Sequence, residues 1–320
     1  MNVQKLAHYT LTACVACALV AGCSGGASTP LGPSAGPPDR IGSWMSPAAT
    51  SQNLLYVSIQ GFDELYVYSY LPPAVKMAGR LTGFSKPSGL CVDKSGDVYV
   101  ANTGAKNLLV YAHGGTKPIA KLDDGNEAPI SCSIDPSTGN LAVSGTSNSL
   151  GEGSIAIFKG ARGAPAFHAD PRLQYPNFLG YDDSGNLFFD GIYYYYRSSS
   201  CCFVEAYAEL PKGAKRFRRI ALAYGPGIGG IQWDGKYLAI GSGDSISEYE
   251  IAGSKGTRVR YTKLRGAHAV EEFWIHGSIV VGADDGYADV GLWRYPRGGR
   301  PTLTIQGLYG PFGATLSLKR

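Results

Sequence analysis

The sequence predicts an all-β fold built from repeated small sheets, on three observations. Glycine and proline are abundant, 44 and 19 of 320 residues, while charged residues make up only 17 %. Tyrosine, phenylalanine and tryptophan number 21, 11 and 4, and they sit in short strand-like runs bounded by turn residues. Those runs recur at a fixed period. Charge this sparse argues against long helices or a coiled coil, and an apolar fraction of 44 % argues against disorder.

The period carries two independent marks. A turn with Asn or Gly precedes a short apolar strand at Asn53, Gly96, Gly139, Gly185, Gly235 and Gly277, in steps of 42 to 50 residues. A second strand then ends in an aromatic, at Tyr68, Tyr111, Phe158, Tyr207, Tyr249 and Trp293, in steps of 42 to 49 residues. The unit is clearest at 87–123. There PSGLCVD, VYVAN, LLVYAH and PIAKL alternate apolar and polar positions between Gly- and Asp-containing turns. Four antiparallel strands in about 45 residues are the size of one propeller blade. One such sheet leaves both faces bare, so neighbours must cover each other, with the recurring aromatic as the wedge between them.

The expected architecture is therefore a six-bladed β-propeller of four-stranded antiparallel blades. The unit at 53–85 lacks an innermost strand, and PFGATLSLKR is left over at 311–320. A ring closed by the C-terminal strand follows, because the two incomplete ends would complete each other. This assigns 50–320 to one domain.

Before it, 1–22 reads as an export signal: Lys5, then an apolar stretch from Leu11 to Ala21 that is too short to span a bilayer. Val20-Ala21-Gly22-Cys23 resembles the lipobox of bacterial lipoproteins. The resemblance implies cleavage before Cys23, lipidation of its sulfur, and an acyl-anchored chain outside the cytoplasm. With Ser24 rather than Asp after the cysteine, it points to the outer membrane if the source is diderm. Residues 23–49 are rich in Ser, Gly, Pro and Ala and read as a tether, with Trp44 and Met45 close enough to pack on the domain.

The stretch PSGLCVDKSGDVYVANTGAKNLLVY at 87–111 resembles an NHL repeat, and 133–158 and 180–190 do so more loosely. Across 50–320 the chain is similar to NHL-repeat, SMP-30/gluconolactonase-like and YVTN-type propellers. That resemblance speaks to fold. The motif consists of turn glycines and core apolars, which hydrolases, lyases and binding scaffolds share.

Without the signal, 28 basic and 25 acidic residues remain, ordinary charge with no block suited to nucleic acid. The one basic run, KGAKRFRR at 212–219, reads as a solvent-facing outer strand. Four cysteines remain besides Cys23. Cys91 and Cys132 fall on innermost strands of adjacent units, which favours a bridge between them over two buried thiols. Cys201 and Cys202 are then an adjacent-residue disulfide, which is strained, or a reduced pair.

Cys201 and Cys202 end the segment GIYYYYRSSSCCF at 191–203, a long loop or extended hairpin at one mouth of the ring. Four consecutive tyrosines cannot all face a core. Tyr193, Tyr194, Tyr195, Tyr196 and Arg197, with Asp190 beneath them, are accordingly the candidate binding surface.

Catalytic signals are thin. The histidines after the signal are His113, His168, His268 and His276, without metal-ligand or triad spacing. Resemblance to the lactonases implies a divalent cation held by channel carboxylates and Asn. The residues available are Asn102, Asp190, Glu271 and Glu272, with Asp284 and Asp285, and they do not follow the family pattern. The expected function is a non-catalytic extracytoplasmic scaffold, a monomer needing no cofactor, that binds a protein, glycan or other envelope component. A metal-dependent lactonase-like hydrolase at the channel mouth is the alternative.

Overall fold

The computed structural model describes residues 42–71, 74–125, 127–146, 153–170, 173–197 and 200–319, without the side chains of 194–203. The export signal, Cys23 and most of the expected tether lie outside these. The described residues fall in one compact unit, 33–320.

Strands β1 (Trp44–Met45), β2 (Leu54–Ile59), β3 (Glu64–Leu71) and β4 (Ala74–Leu81) begin the first sheet. β1 pairs with β4 at Arg80 and Gly79, and Gly79 lacks the side chain that would strike Met45. Ala49 is fully buried as well. The fold thus starts within the segment expected to be tether. Strands β5 (Pro87–Val92), β6 (Val98–Asn102), β7 (Asn107–Tyr111) and β8 (Pro118–Asp123) form a second sheet in sequential order. β9 (Ala128–Ile134), β10 (Leu141–Thr146), β11 (Gly153–Phe158) and β12 (Ala166–His168) form a third.

The next eight strands make one sheet. β13 (Tyr175–Tyr181), β14 (Leu187–Arg197), β15 (Ser200–Leu210) and β16 (Arg218–Leu222) pair in order. So do β17 (Ile231–Trp233), β18 (Leu238–Ser242), β19 (Ser245–Ala252) and β20 (Lys255–Lys263). The two sets are joined where β16 and β20 pair in parallel, Ala221 opposite Lys255 and Leu222 opposite Gly256. Gly256 permits this because a side chain there would strike Leu222. Strands β21 (Val270–His276), β22 (Ile279–Asp284), β23 (Asp289–Arg294) and β24 (Leu303–Gln306) form the last sheet. β25 (Pro311–Ser317) returns to pair antiparallel with β2.

The expected six separate four-stranded blades are corrected by this topology. The described strands make five sheets of unequal size, one of eight strands and one of five. The C-terminal strand does not seal a four-stranded blade either; β25 is the edge of the five-stranded sheet. The physical reason is edge pairing. Strands expected to end their sheets found partners, β16 with β20 through Ala221 and Leu222 and β4 with β1, and so covered backbone groups that an open edge leaves exposed. The result is a propeller-like arrangement in which the edge strands β25, β5, β9, β13, β17 and β21 run beside one another around a central axis.

The recurring marks of the sequence have direct structural counterparts. The wedge aromatics Tyr68, Tyr111, Phe158, Tyr207, Tyr249 and Trp293 are all buried. Each belongs to an apolar cluster that joins neighbouring strand groups: Phe158, for example, packs with Tyr99, Leu108 and Leu141 of the second and third sheets. The turn signal is an Asp that caps its own turn. Asp93 Oδ1 accepts the Ser95 and Asp97 N–H groups at 2.7 and 2.9 Å, and Gly96 follows at φ +83°. Asp182 repeats this with Ser184, Asn186 and Gly185 at φ +85°. Only glycine takes that left-handed conformation without strain.

Candidate functional site

Glu272 on β21 is buried and reaches across to two other inner strands: Oε1 accepts the Ser131 hydroxyl at 2.8 Å and Oε2 accepts the Leu90 N–H at 3.0 Å. Burial pushes its carboxyl up to about 7, against the two hydrogen bonds that favour the charged form. Gly89 and Gly313 leave room for it, since a Cβ at either would stand 3.0 or 2.7 Å from a Glu272 carboxylate oxygen. Beside it Phe178 of β13 and Phe312 of β25 stack with ring centroids 6.1 Å apart. A carboxylate bridge and an aromatic pair thus tie inner strands to one another across the ring.

Beyond Glu272 lies a cavity of about 140 Å³ lined by Val92, Ile134, Tyr181, Gln232, Trp233 and Trp274 among others. Cys91 and Cys132 also border it, and they form a disulfide between β5 and β9, as expected, with Cα atoms 5.6 Å apart. The Gln232 side chain is already engaged, accepting the Ile275 N–H at 2.6 Å and donating to the Ile275 carbonyl at 3.0 Å.

The candidate cation ligands do not converge. Asn102 is buried, accepting the Ser85 N–H at 2.7 Å and donating to Asn107. Asp190, expected beneath an exposed tyrosine surface, has no solvent exposure at all. It lies inside β14 rather than at a strand end. Its oxygens accept the Phe178 and Gly229 N–H groups at 2.8 and 3.0 Å, tying together the two halves of the eight-stranded sheet. Burial raises it to about 8. Glu271 and Glu272 are neighbours within β21 and alternate to opposite sides. Among the described residues no three His, Cys, Asp or Glu side chains are grouped to hold a metal.

The 191–203 segment is an extended hairpin. β14 and β15 stay paired as far as Arg197 opposite Ser200, with Tyr194 opposite Phe203 and Tyr196 opposite Cys201. Tyr193 is half-buried. The side chains of Tyr194, Tyr195, Tyr196, Arg197, Cys201 and Cys202 lie outside the described residues.

A different surface emerges at the loop face, where connections between sheets meet the turns between second and third strands. Hydrogen bonds join the two kinds of loop, such as Gln60 N–H to Gly310 O at 2.8 Å and Asp285 N–H to Ala269 O at 3.1 Å. Three aromatic rings stand out there: Phe62, Tyr287 and Tyr309, 50 %, 59 % and 64 % exposed. Phe62 and Tyr309 lie 5.6 Å apart, Tyr309 resting on Gly61, where no side chain fits. Tyr287 meets the ring of His268 edge-on at 5.5 Å, over Gly286. Asp285 lies between the two pairs, close to Gly310.

The same face is acidic. Burial, then Asp285 and Asp284, raises Glu271, and burial with Asp284 raises Asp289 to about 6. Asp284 is satisfied by the N–H groups of His268, Ala269 and Gly286. None of these carboxylates takes part in an ion pair among the described residues, whereas Glu64, Glu209 and Glu248 elsewhere are each paired with arginine. The signal for this surface was an aromatic inside a turn, in QGFDE, DDGYAD and GLYGP, where polar residues normally serve.

Residues 84–111 match the NHL repeat. No curated protein matches the sequence. Among solved structures, a chain from the crystal structure of a nidogen/laminin complex superposes with a TM-score of 0.65 at 14 % identity, covering 84 % of this chain and 99 % of that one. A functionally unknown protein from Desulfotomaculum acetoxidans superposes at 0.55 with 11 % identity, covering 88 % and 89 %. These likenesses establish a propeller-like fold.

Proposed function

We propose that this chain is a non-catalytic, exported binding module whose loop face receives a protein segment carrying basic side chains among apolar ones. The observation that carries this is the loop-face patch, three exposed rings set beside carboxylates that lack an ion-pair partner among the described residues. Rigid aromatics supply contact area at low ordering cost, and clustered carboxylates favour an incoming cation. The structural neighbour from a complex of two proteins supports a protein rather than a glycan as the partner.

Peptide arrays of Lys/Arg–aromatic sequences against their Asp/Glu counterparts test the chemistry. Basic peptides bind, binding weakens several-fold from 50 to 300 mM salt, and Tyr309→Ala with Asp285→Asn weakens it at least tenfold without altering the melting temperature by more than about 2 °C. Equal binding of acidic peptides, or an unaffected variant, refutes the assignment.

Export and acylation at Cys23 complete the proposal. The mature chain then begins at an acylated Cys23 by mass spectrometry, and Cys23→Ser releases it from the membrane fraction; an unmodified or uncleaved terminus excludes the anchor.

A further inference from the structure

We propose that a hard divalent cation, calcium in an extracytoplasmic setting, is held between Asp124 and Glu127 beside Gly145 of β10. Asp124 is fully buried, and among the described residues neither of its carboxylate oxygens has a hydrogen-bond partner. A buried carboxylate left this way is costly unless a counter-charge reaches it.

The geometry marks where that charge belongs. Gly145 sits at a register shift in β10, opposite Pro129 and Ser154. The point a Cβ would occupy on Gly145 is 2.8 Å from Glu127 Oε2 and 3.2 Å from Asp124 Oδ2. One oxygen of each carboxylate therefore packs against the bare α-carbon of Gly145, so the two acids converge where residue 145 has no side chain. Glu127 is pre-aimed, its two oxygens each 2.9 Å from the Ser154 hydroxyl. The carboxyls do not hydrogen-bond to each other, so they are not arranged to share a proton. Burial raises both, and Glu127 and Asp123 add to the shift at Asp124.

Oxygen-only ligation by carboxylates suits calcium, whose ligands stand at roughly 2.3–2.6 Å in a flexible shell completed by water or carbonyls. Magnesium demands near-octahedral geometry and dehydrates reluctantly, so it binds more weakly here. Two protein carboxylates place the affinity in the range of extracellular calcium modules, about 0.1–1 mM.

The test is calorimetric titration of the folded protein with calcium chloride at pH 7.5, beside melting curves in chelator and in excess calcium. One calcium per chain is expected, with a rise in melting temperature of roughly 3–6 °C at ten times the dissociation constant. Asp124→Asn removes both signals. Gly145→Ala sets a methyl against both carboxylates, forces them apart and removes the signals while retaining both acids, so it decides the matter even if Asp124→Asn folds poorly. Absence of calcium binding in the unaltered chain, or undiminished binding in Gly145→Ala, overturns the proposal. In that case Asp124 is a buried protonated acid.

Discussion

Replacing Cys91 and Cys132 together by serine is expected to lower stability by about 4 kcal/mol, or roughly 8–16 °C in melting temperature. The two cysteines are 41 residues apart, so their bond removes a long loop from the unfolded ensemble. It also crosses between two sheets whose backbones do not otherwise hydrogen-bond in one ladder. Differential scanning calorimetry of the double variant, and of the unaltered chain with and without reductant, gives the number. A change under about 1 kcal/mol would show that packing of Tyr99, Leu108, Leu141 and Phe158 alone holds the two sheets together.

The second large effect is an inverted pH dependence. Glu272 is held near 7 in the folded chain and ionises near 4.5 when unfolded. Between those values the folded state keeps a proton that the unfolded state has released. The stabilisation is fully present below about pH 4.5 and is lost as pH rises through 7. A shift of this size corresponds to about 3 kcal/mol. Asp190, raised from 3.8 to about 8 by burial, acts in the same direction.

Urea unfolding in chelator should therefore show lower stability at pH 8 than at pH 5. Glu272→Gln should flatten the curve, because its carbonyl can accept from Leu90 while its amide donates to Ser131. Glu272→Ala should cost about 2–4 kcal/mol at pH 5, by leaving those donors unpaired and a void on the axis, and clearly less at pH 8, where the contribution of the protonated carboxyl is already lost. Stability that rises from pH 5 to pH 8 would contradict the buried bridge.

Local features were legible in the sequence because they depend on local chemistry. The Asp-capped turns at Asp93 and Asp182 need a left-handed glycine, so Gly96 and Gly185 announce them. The wedge aromatics recur because each interface between strand groups needs one. Cys91 and Cys132 could be paired because both fall on inner strands of neighbouring units. Edge pairing was not legible. KGAKRFRR is mostly exposed, as read, but nothing in the Ala221-Leu222 that follows it distinguishes a strand edge that meets water from one that meets Lys255 and Gly256 of another hairpin.

The site was harder still. Asp190 reads as a surface acid, yet its oxygens satisfy two backbone amides far apart in sequence. Glu272 likewise bonds to partners 141 and 182 residues away, which no local pattern encodes. Phe62, Tyr287 and Tyr309 were missed in the sequence, and their assembly around Asp285 depends on β25 returning beside β2.

Site-specific photo-crosslinking in cells of the source organism tests the central claim most directly. A photoreactive residue is placed at Tyr287 or Tyr309 on the loop face and, in separate chains, at Ile119 or Val259, which are exposed on outer strands. The account predicts a discrete protein adduct from 287 and 309, lost when Asp285 is changed to Asn, and none from 119 or 259. Adducts formed only from the outer strands would contradict it.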